Sequence, residues 1–348
     1  MKKFTPGIVL TAGLLASSLV LRPVLADTAA PAPAKTVADQ AVPAKVTSAS
    51  TSASTADTAK RRVEATKQAS SKAKQQANAL QTQVRKDARA AVAAVAQAVE
   101  LLQQGSKDAA LEKLATSSGK LDVAIAAYPD LAMLPVASEA EEHVLLTTAA
   151  GVKHDLAQVR QLLKSGDIQD ARVVLDQLHS DIIVGTLLLP AGSYPAAIKD
   201  ASALVADDKS DQAVALLTTA MTTLVRDVTV IPVPEFTAEE NTLQASLVLK
   251  QEKDKAKAKA AALDHLALAA DQLEVARLLG YVQKDQPGYQ RLADQISELR
   301  KQVGADQDSA GLFDKLKAEF KSYFGHRDAA AQADKATAAK ATAAKSAK

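Results

Sequence analysis

The pattern of apolar residues repeats three times along the middle of the chain. The copies begin at Leu101, Leu162 and Leu204, where a helical pattern of apolar positions ends. A turn residue follows after four positions, an alanine after nine, a leucine after thirteen and a proline after twenty-eight. The turn residues are Gly105, Gly166 and Asp208, and the prolines are Pro129, Pro190 and Pro232. Such self-similarity is typical of helical repeats and predicts three antiparallel hairpins, each closed by an extended connector that carries proline.

Two capping-box patterns predict where later helices begin. Ser138 with Glu141 predicts the start of a helix that ends near Leu163. Thr237 with Glu240 predicts one unbroken helix as far as Leu279, with a length of roughly 60 Å. Its middle, residues 250–259, is strongly charged, so we expect this part to project into water or to kink.

The hydrophobic pattern therefore predicts an all-α fold, built of antiparallel helical hairpins in a bundle or short stack. The proline-bearing connectors would be extended and would form at most short strands, because proline cannot donate to a sheet. We assign this helical domain to residues 79–303, where the last helix has heptad spacing from Tyr289 to Val303. An amphipathic helix is expected at 304–326.

Composition separates three further segments from the helical domain. Residues 1–26 combine Lys2 and Lys3 with a short apolar run and Val24-Leu25-Ala26, which predicts a cleaved secretory signal peptide and a periplasmic protein. Residues 27–78 are rich in Ala, Thr, Ser, Pro and Lys and are expected to form a disordered linker, although helical propensity rises after Lys60. The Ala/Lys tail at 327–348 is also expected to be disordered.

The overall composition excludes several classes of function. The chain has no cysteine, so an oxidising compartment can add no disulfide to the fold. A net charge of only +2 gives no reason to expect a nucleic-acid partner. Aromatic residues make up 3% of the chain, which favours close-packed helices over a large aromatic-lined pocket.

Two segments give the chain a resemblance to a known family. One is 101–136, in which Leu121-Asp122-Val123-Ala124 leads into Pro129-Asp130-Leu131-Ala132-Met133-Leu134-Pro135-Val136. The other combines Leu188-Leu189-Pro190 with Val230-Ile231-Pro232-Val233-Pro234. Over residues 80 to 300 the chain resembles the YfdX family of bacterial secreted proteins. The resemblance implies a helical, periplasmic protein linked to the stress response and to chaperone-like behaviour, with no catalytic motif.

No sequence motif for catalysis, phosphate binding or a cofactor is complete. Gly192-Ser193-Tyr194-Pro195 lacks the second glycine of a nucleophile elbow, and its serine is better placed to cap a helix. Ser118-Gly119-Lys120 lacks the rest of a Walker loop. We therefore expect no enzyme, no catalytic or metal-binding residues and no cofactor.

Two histidines are candidates for a pH-responsive pair. If the chain folds back at Gly166, His154 and His179 lie at the same height on adjacent helices. An unperturbed histidine titrates near pH 6.5, so such a pair could respond to periplasmic pH or hold a metal. Because His154 lies off the apolar stripe, solvated histidines are the alternative.

The amphipathic helix near the C-terminus is a candidate binding surface. Phe313, Phe320 and Phe324 form its apolar side, and lysines lie on the other side. One interpretation is that the helix caps the hairpins as part of the core. The other is that it binds clients or, with the Lys-rich tail, a membrane surface.

These patterns favour a periplasmic, non-enzymatic protein-binding domain, with a stress-related holdase as its most specific form. Its partners would be protein clients, and the heptad spacing of the last core helix makes a homo-oligomer plausible. The alternative is a carrier of small ligands or lipids, with an apolar cavity among the helices.

Overall fold

The computed structural model describes residues 49–283 and 286–324, which contain eleven helices and one three-stranded sheet. The helices are α1 (Ala49–Gln81), α2 (Lys86–Gln103), α3 (Lys107–Ala127), α4 (Ala149–Ser165), α5 (Ile168–Asp176), α6 (Tyr194–Ala206), α7 (Ser210–Thr222), α8 (Val233–Gln251), α9 (Lys255–Leu278), α10 (Pro287–Gly304) and α11 (310–324). The strands are β1 (Met133–His143), β2 (Asp181–Pro190) and β3 (Val225–Pro232). The expectation of a predominantly helical fold is confirmed. The predicted signal peptide and Ala/Lys tail lie outside the described residues.

The three repeats form the three predicted hairpins. We call α2–α3 the first hairpin, α4–α5 the second and α6–α7 the third. Their turns contain Gly105, Gly166 and Asp208, with φ of 78°, 87° and 63°. These are left-handed conformations, which glycine adopts without strain and aspartate tolerates better than most residues. The repeat spacing therefore located each turn at the correct residue.

The first and third hairpins pack against each other into one core. The packing has an approximate two-fold character, because α3 lies against α6 while α2 lies against α7. Lys107 pairs with Asp208 at the turns, so the two turns lie side by side. Seven equivalent positions in each hairpin are buried. They are Ala91, Val95, Ala98, Leu102, Ala110, Leu114 and Ser117 in the first, and Tyr194, Ile198, Ala201, Val205, Ala213, Leu217 and Ala220 in the third.

The three connectors pair into a single antiparallel sheet in the order β1-β2-β3. The strands have 11, 10 and 8 residues, which is longer than the short strands that the sequence predicts. The prolines remain compatible with pairing because Pro190 and Pro232 end their strands, and Pro135 lies at a register shift. The extended connectors are thus the element that links the repeats.

One capping-box prediction is wrong because its residues lie in a strand. Ser138 and Glu141 belong to β1 and pair with Thr186 and Ile183 of β2. The ladder to β2 gives this segment its backbone hydrogen bonds, so no helix forms there. The helix α4 instead begins at Ala149, after Thr148, whose hydroxyl accepts a hydrogen bond from the Gly151 N–H.

The prediction of one long helix from Thr237 to Leu279 is also wrong. The chain reverses at residues 252–254, so α8 and α9 pack side by side. Asp254 caps α9, because its carboxylate accepts hydrogen bonds from the N–H groups of Ala256 and Lys257. The charged stretch that was expected to project or kink contains this turn. Thr237 is not a cap, since its hydroxyl donates to the Val233 carbonyl inside α8.

The predicted linker at 27–78 is wrong over the part that the structure describes, because α1 begins at Ala49. Its apolar face consists of alanines at every fourth position, Ala65, Ala69, Ala73 and Ala77, all buried. Alanine buries little surface alone, so the composition resembles that of a linker. Its small side chain, however, lets α1 lie close to α8 and to the sheet. The boundary predicted at residue 78 falls inside this helix.

The four last helices form a second core. Leu266 and Leu273 of α9 pack with Leu292 and Ile296 of α10 and with Leu316 of α11. The heptad positions predicted for α10 are buried within this chain. The helix α8 lies between α1 and α9, and for this reason it buries polar as well as apolar residues.

Candidate functional site

The structure does not bring the predicted histidine pair together in the expected way. His154 is exposed on α4, whereas the ring of His179 stacks on His143 with centroids 3.9 Å apart. The cause is the sheet: β1 ends at His143 and β2 begins at Asp181, and these two residues are direct partners in the register. Sequence reasoning missed His143 because it placed this residue in a helix.

A polar cluster surrounds the stacked histidines. The Nδ1 atom of His179 lies 3.2 Å from Oδ1 of Asp181, whose side chain is buried. The hydroxyl of Tyr281 donates to Oδ2 of the same carboxylate at 2.7 Å, and it accepts a hydrogen bond from the Ser180 N–H at 2.7 Å. Tyr281 follows α9, so the cluster joins the sheet to the helical core.

The hydrogen bonds of this cluster fix the positions of its side chains. Burial and the hydrogen bond to Asp181 raise the pKa of Tyr281 well above its usual value, so the phenol stays neutral and acts as a donor. The Ser180 hydroxyl accepts a hydrogen bond from the Leu145 N–H, which places it in the backbone scaffold. A nucleophile poised beside a base is the usual sign of covalent catalysis. In this cluster the imidazole of His179 instead faces a carboxylate, Asp181, whose second oxygen accepts a hydrogen bond from Tyr281.

A row of buried polar side chains runs along α8. Glu240 is almost fully buried and lies 2.8 Å from Nζ of Lys72 on α1. Asn241 Oδ1 lies 3.0 Å from Nδ1 of His265 on α9. Glu235 accepts a hydrogen bond from the Tyr323 hydroxyl of α11 at 2.9 Å. The row therefore ties α8 to three other helices.

The charges in this row are fixed by their partners. Burial disfavours the charged form of Lys72, but its pairing with Glu240 and Glu239 outweighs that cost and raises the pKa of Lys72. Burial, followed by the charge of Arg61, lowers the pKa of His265, so this imidazole is neutral at physiological pH. These interactions hold the helices in register, as expected for a satisfied polar core.

The second hairpin has an exposed apolar surface. At the seven repeat positions it carries Val152, Leu156, Val159, Leu163, Ala171, Leu175 and Leu178. Val152, Val159 and Ala171 are buried, but Leu163 and Leu175 are 51% and 44% exposed. Ile168 and Val173 add further exposed apolar area near the turn. The base of α4 is held on α9, where Val152 packs against Val275, so the open part is the half nearer the turn.

One face of the sheet is also partly apolar and exposed. Val228 and Val230 of β3 lie opposite Gly185 and Ile183 of β2, and both valines are exposed. At one end of this face lies an open groove of about 290 Å³, crossed by the ion pair between Arg226 and Glu139 at 2.7 Å. The groove is lined by Ala137, Ser138, Glu139, Gly185, Thr186, Leu187 and Arg226.

The phenylalanines of α11 do not form the predicted binding surface. Phe313 and Phe320 are buried in the core of the last four helices. The helix is therefore part of a core, as in the capping interpretation, but it packs with α8, α9 and α10 and does not cap the hairpins. The ring of Phe324 stacks on Phe236 of α8 with centroids 4.7 Å apart. An apolar stripe has the same pattern whether it faces a core or a partner, which is why the sequence left both interpretations open.

Two kinds of feature are absent from the described part of the chain. Within residues 49–283 and 286–324, no three His, Asp or Glu side chains converge to hold a metal ion. Over the same ranges, no helix combines the length and apolar character that crossing a bilayer requires.

Comparisons with known proteins find one family that is similar to the repeat region. A family model described as YfdX protein matches residues 91–230, from the second turn of α2 to near the end of β3. A solved structure of Salmonella Typhi YfdX is also similar, with 17% identity, a TM-score of 0.31, and coverage of 43% of this chain and 93% of the other. No curated protein matches the chain. The family match covers most of the three hairpins and of the sheet that joins them, so residues 91–230 of this chain are similar to the YfdX family.

Proposed function

We propose that this protein is an exported, non-enzymatic protein-binding domain that holds partly unfolded clients in the periplasm. The observation that carries the proposal is the position of its exposed apolar residues. Leu163, Ile168, Val173 and Leu175 lie on the second hairpin, and Val228 and Val230 lie on one face of the sheet. Clustered apolar area rimmed by charged residues is typical of surfaces that bind other proteins.

The chemistry of the buried groups supports binding over catalysis. The His143–His179 cluster and the polar row on α8 are occupied by contacts within the chain. They stabilise the frame that presents the two apolar surfaces. The resemblance to the YfdX family is in keeping with a stress-related holdase.

Suppression of client aggregation is the direct test of this function. The full chain is mixed at increasing ratios with a reduced, aggregating model client, and light scattering is followed. We expect scattering to fall as the protein approaches an equal ratio. Val228→Asp with Val230→Asp should weaken the effect, since both side chains are exposed and the change places charge on the apolar face.

Val123→Asp is the matched control, because Val123 is also an exposed valine but lies on α3, which is part of neither surface. Equal scattering with and without the protein would exclude the holdase function. Equal activity of the sheet variant and the control would show that clients bind elsewhere.

The location has its own test. The pattern at residues 1–26 supports export followed by cleavage after Ala26. N-terminal sequencing of the protein recovered from a periplasmic fraction should begin at Asp27, and an intact Met1 would exclude cleavage.

A small-ligand carrier is the second candidate, and the groove beside Arg226 is the observation that favours it. A bound ligand must stabilise the folded state, so a screen of lipids and small carboxylates should find one that raises the melting temperature. Loss of that shift in Arg226→Ala would place the ligand in the groove.

A further inference from the structure

The second hairpin keeps an interface pattern that it does not use inside the chain. At the position after the first repeat leucine, Leu102 and Val205 are buried where Leu163 is exposed. At the thirteenth position, Leu114 and Leu217 are fully buried where Leu175 is exposed. The first and third hairpins bury these positions against each other, whereas the second hairpin packs through α4 against the single helix α9.

The residues between those positions also make the second hairpin more apolar than the other two. Position six of the repeat is Lys107 in the first hairpin and Ser210 in the third, but Ile168 in the second. The turn end of the second hairpin is therefore more apolar than the turn ends that do pair. More than half of Ile168 is exposed to solvent. Together with Leu163 and Leu175 it forms an exposed apolar patch, which is typical of a binding surface.

The contact between the first and third hairpins shows how such a surface is covered. The second helix of each hairpin lies against the first helix of the other. An arrangement of this kind maps onto itself when the two hairpins exchange places, which is the property of a two-fold interface. Two copies of the second hairpin can adopt it, with α4 of one copy against α5 of the other.

The charges of the second hairpin suit this arrangement. Near its turn, the charged residues that α4 exposes are both basic, Arg160 and Lys164. The helix α5 carries Asp170 and Asp176 together with Arg172, so acidic residues predominate. When α4 faces α5 of another copy, basic and acidic side chains oppose each other on both sides of the axis, and the interface is self-complementary.

We infer that the second hairpin binds a second copy of this chain, through a two-fold contact that repeats the packing of the first and third hairpins. This inference rests on the proposed protein-binding function and names the partner of one of its two surfaces. Leu163, Leu175 and Ile168 become buried in the dimer. The exposed face of the sheet stays open for clients.

Sedimentation of the full chain over a range of micromolar concentrations tests the inference. We expect twice the monomer mass at high concentration. Leu163→Asp with Leu175→Asp should weaken dimerisation by about a hundredfold or more, since the exposed part of both leucines is buried in the dimer and each leucine occurs in both copies. Val123→Asp, exposed to a similar extent on α3, should leave the mass unchanged. A monomer at every concentration would overturn the inference.

A charge exchange separates this interface from a non-specific apolar contact. Arg160→Glu with Lys164→Glu should raise the dissociation constant about tenfold or more, because acidic residues then face acidic residues. Adding Asp170→Lys and Asp176→Lys to the same chain should restore dimerisation. Failure of the fourfold variant to recover, with its helical signal intact, would show that α4 does not face α5.

The same variants distinguish this inference from the proposed function. A monomeric Leu163→Asp, Leu175→Asp variant that still suppresses aggregation supports both, with clients on the sheet. A dimer without suppression supports the inference alone. A wild-type monomer that suppresses aggregation supports the function and overturns the inference.

Discussion

The first and third hairpins, compared with the second, show how one sequence pattern produces two kinds of surface. All three have a turn with positive φ, a buried alanine at the ninth position and a leucine at the thirteenth. In the first and third hairpins that leucine is fully buried, and in the second it is 44% exposed. The pattern determines the hairpin, but the neighbours determine whether its outer face becomes core or surface.

The attachment of the hairpins differs in the same way. The first and third are held by a shared apolar core. The second is held at its base by α9, where Val152 meets Val275 and Lys153 lies 3.1 Å from Glu274. Asp271 also accepts a hydrogen bond from the Ala149 N–H. Local opening should therefore be easier in the second hairpin than in the other two.

Removing the thirteenth leucine should give the largest difference between the hairpins. Leu114→Ala or Leu217→Ala leaves a cavity in a closed core and should lower the free energy of unfolding by about 2–5 kcal/mol. Leu175→Ala should lower it by about 0.5 kcal/mol or less in the monomer, because the side chain is already in contact with water. Urea denaturation at low protein concentration measures both. Equal losses would mean that the second hairpin is covered in the monomer.

Replacing the turn glycine should cost about the same stability in the first hairpin, which packs against another hairpin, as in the second, which does not. Gly105→Ala and Gly166→Ala each place a Cβ at positive φ, where the left-handed conformation costs an L-residue about 1–2 kcal/mol. Apart from the two adjacent residues, no atom of the described residues lies within 4 Å of the added Cβ at either position, so the loss comes from the backbone. The free energies of unfolding should fall by similar amounts. A much larger loss at one turn would reveal a contact that depends on that hairpin.

A substitution of Tyr194, in the core shared by the first and third hairpins, should change the free energy of unfolding by a smaller amount and in the opposite direction. Its hydroxyl is buried with no hydrogen-bond partner among the described residues, and burial raises its pKa to about 12. Tyr194→Phe removes an unsatisfied polar group, so it should leave stability unchanged or raise it by about 1 kcal/mol. Thermal unfolding measures the change. A clear loss would show that the hydroxyl has a partner in solution.

The smallest expected effect is that of low pH. As the pH falls, the second hairpin should open locally before the other two. Hydrogen bonds from Arg277, assisted by Lys153, hold the pKa of Glu274 at about 2, below its ordinary value of 4.5. A lowered pKa in the folded state means that this stabilisation is complete above about pH 4.5 and is lost as the pH falls through about 2. The effect is small because the groups are partly exposed and screened.

Hydrogen exchange through that pH range should detect the loosening. The α4 amides should lose protection earlier than those of α6. In Glu274→Gln, α4 should begin with lower protection and change less with pH. Parallel loss in α4 and α6 would contradict a local anchor.

The helical repeat and its turns could be read from the sequence because their causes are local. The φ of Gly166 and the spacing from Leu162 to Leu175 depend on neighbouring residues. The sheet was harder to predict from the sequence, since strand pairing joins His143 to Asp181, thirty-eight positions away along the chain. Proline suggested breaks, and the prolines do lie at strand ends and at a register shift.

Other features could not be read from the sequence for the same reason. The alanine stripe of α1 has little apolar surface. It becomes part of a core only because α1 packs against α8. The cluster of His179, Asp181 and Tyr281 depends on a tertiary contact between the sheet and the end of α9. The exposure of Leu175 is invisible in a pattern that it shares with two buried leucines. The repeat spacing, however, marked which residues to compare.

The order of the strands has a consequence for how the molecule is made. Because β1, β2 and β3 are neighbours in the same order as along the chain, a chain that emerges N-terminus first can build the sheet by extending one edge as each hairpin is completed. No strand has to wait for a later one to be inserted beside it. Assembly by successive addition keeps the early pairings close in sequence and shortens the time for which a half-made sheet is open to aggregation.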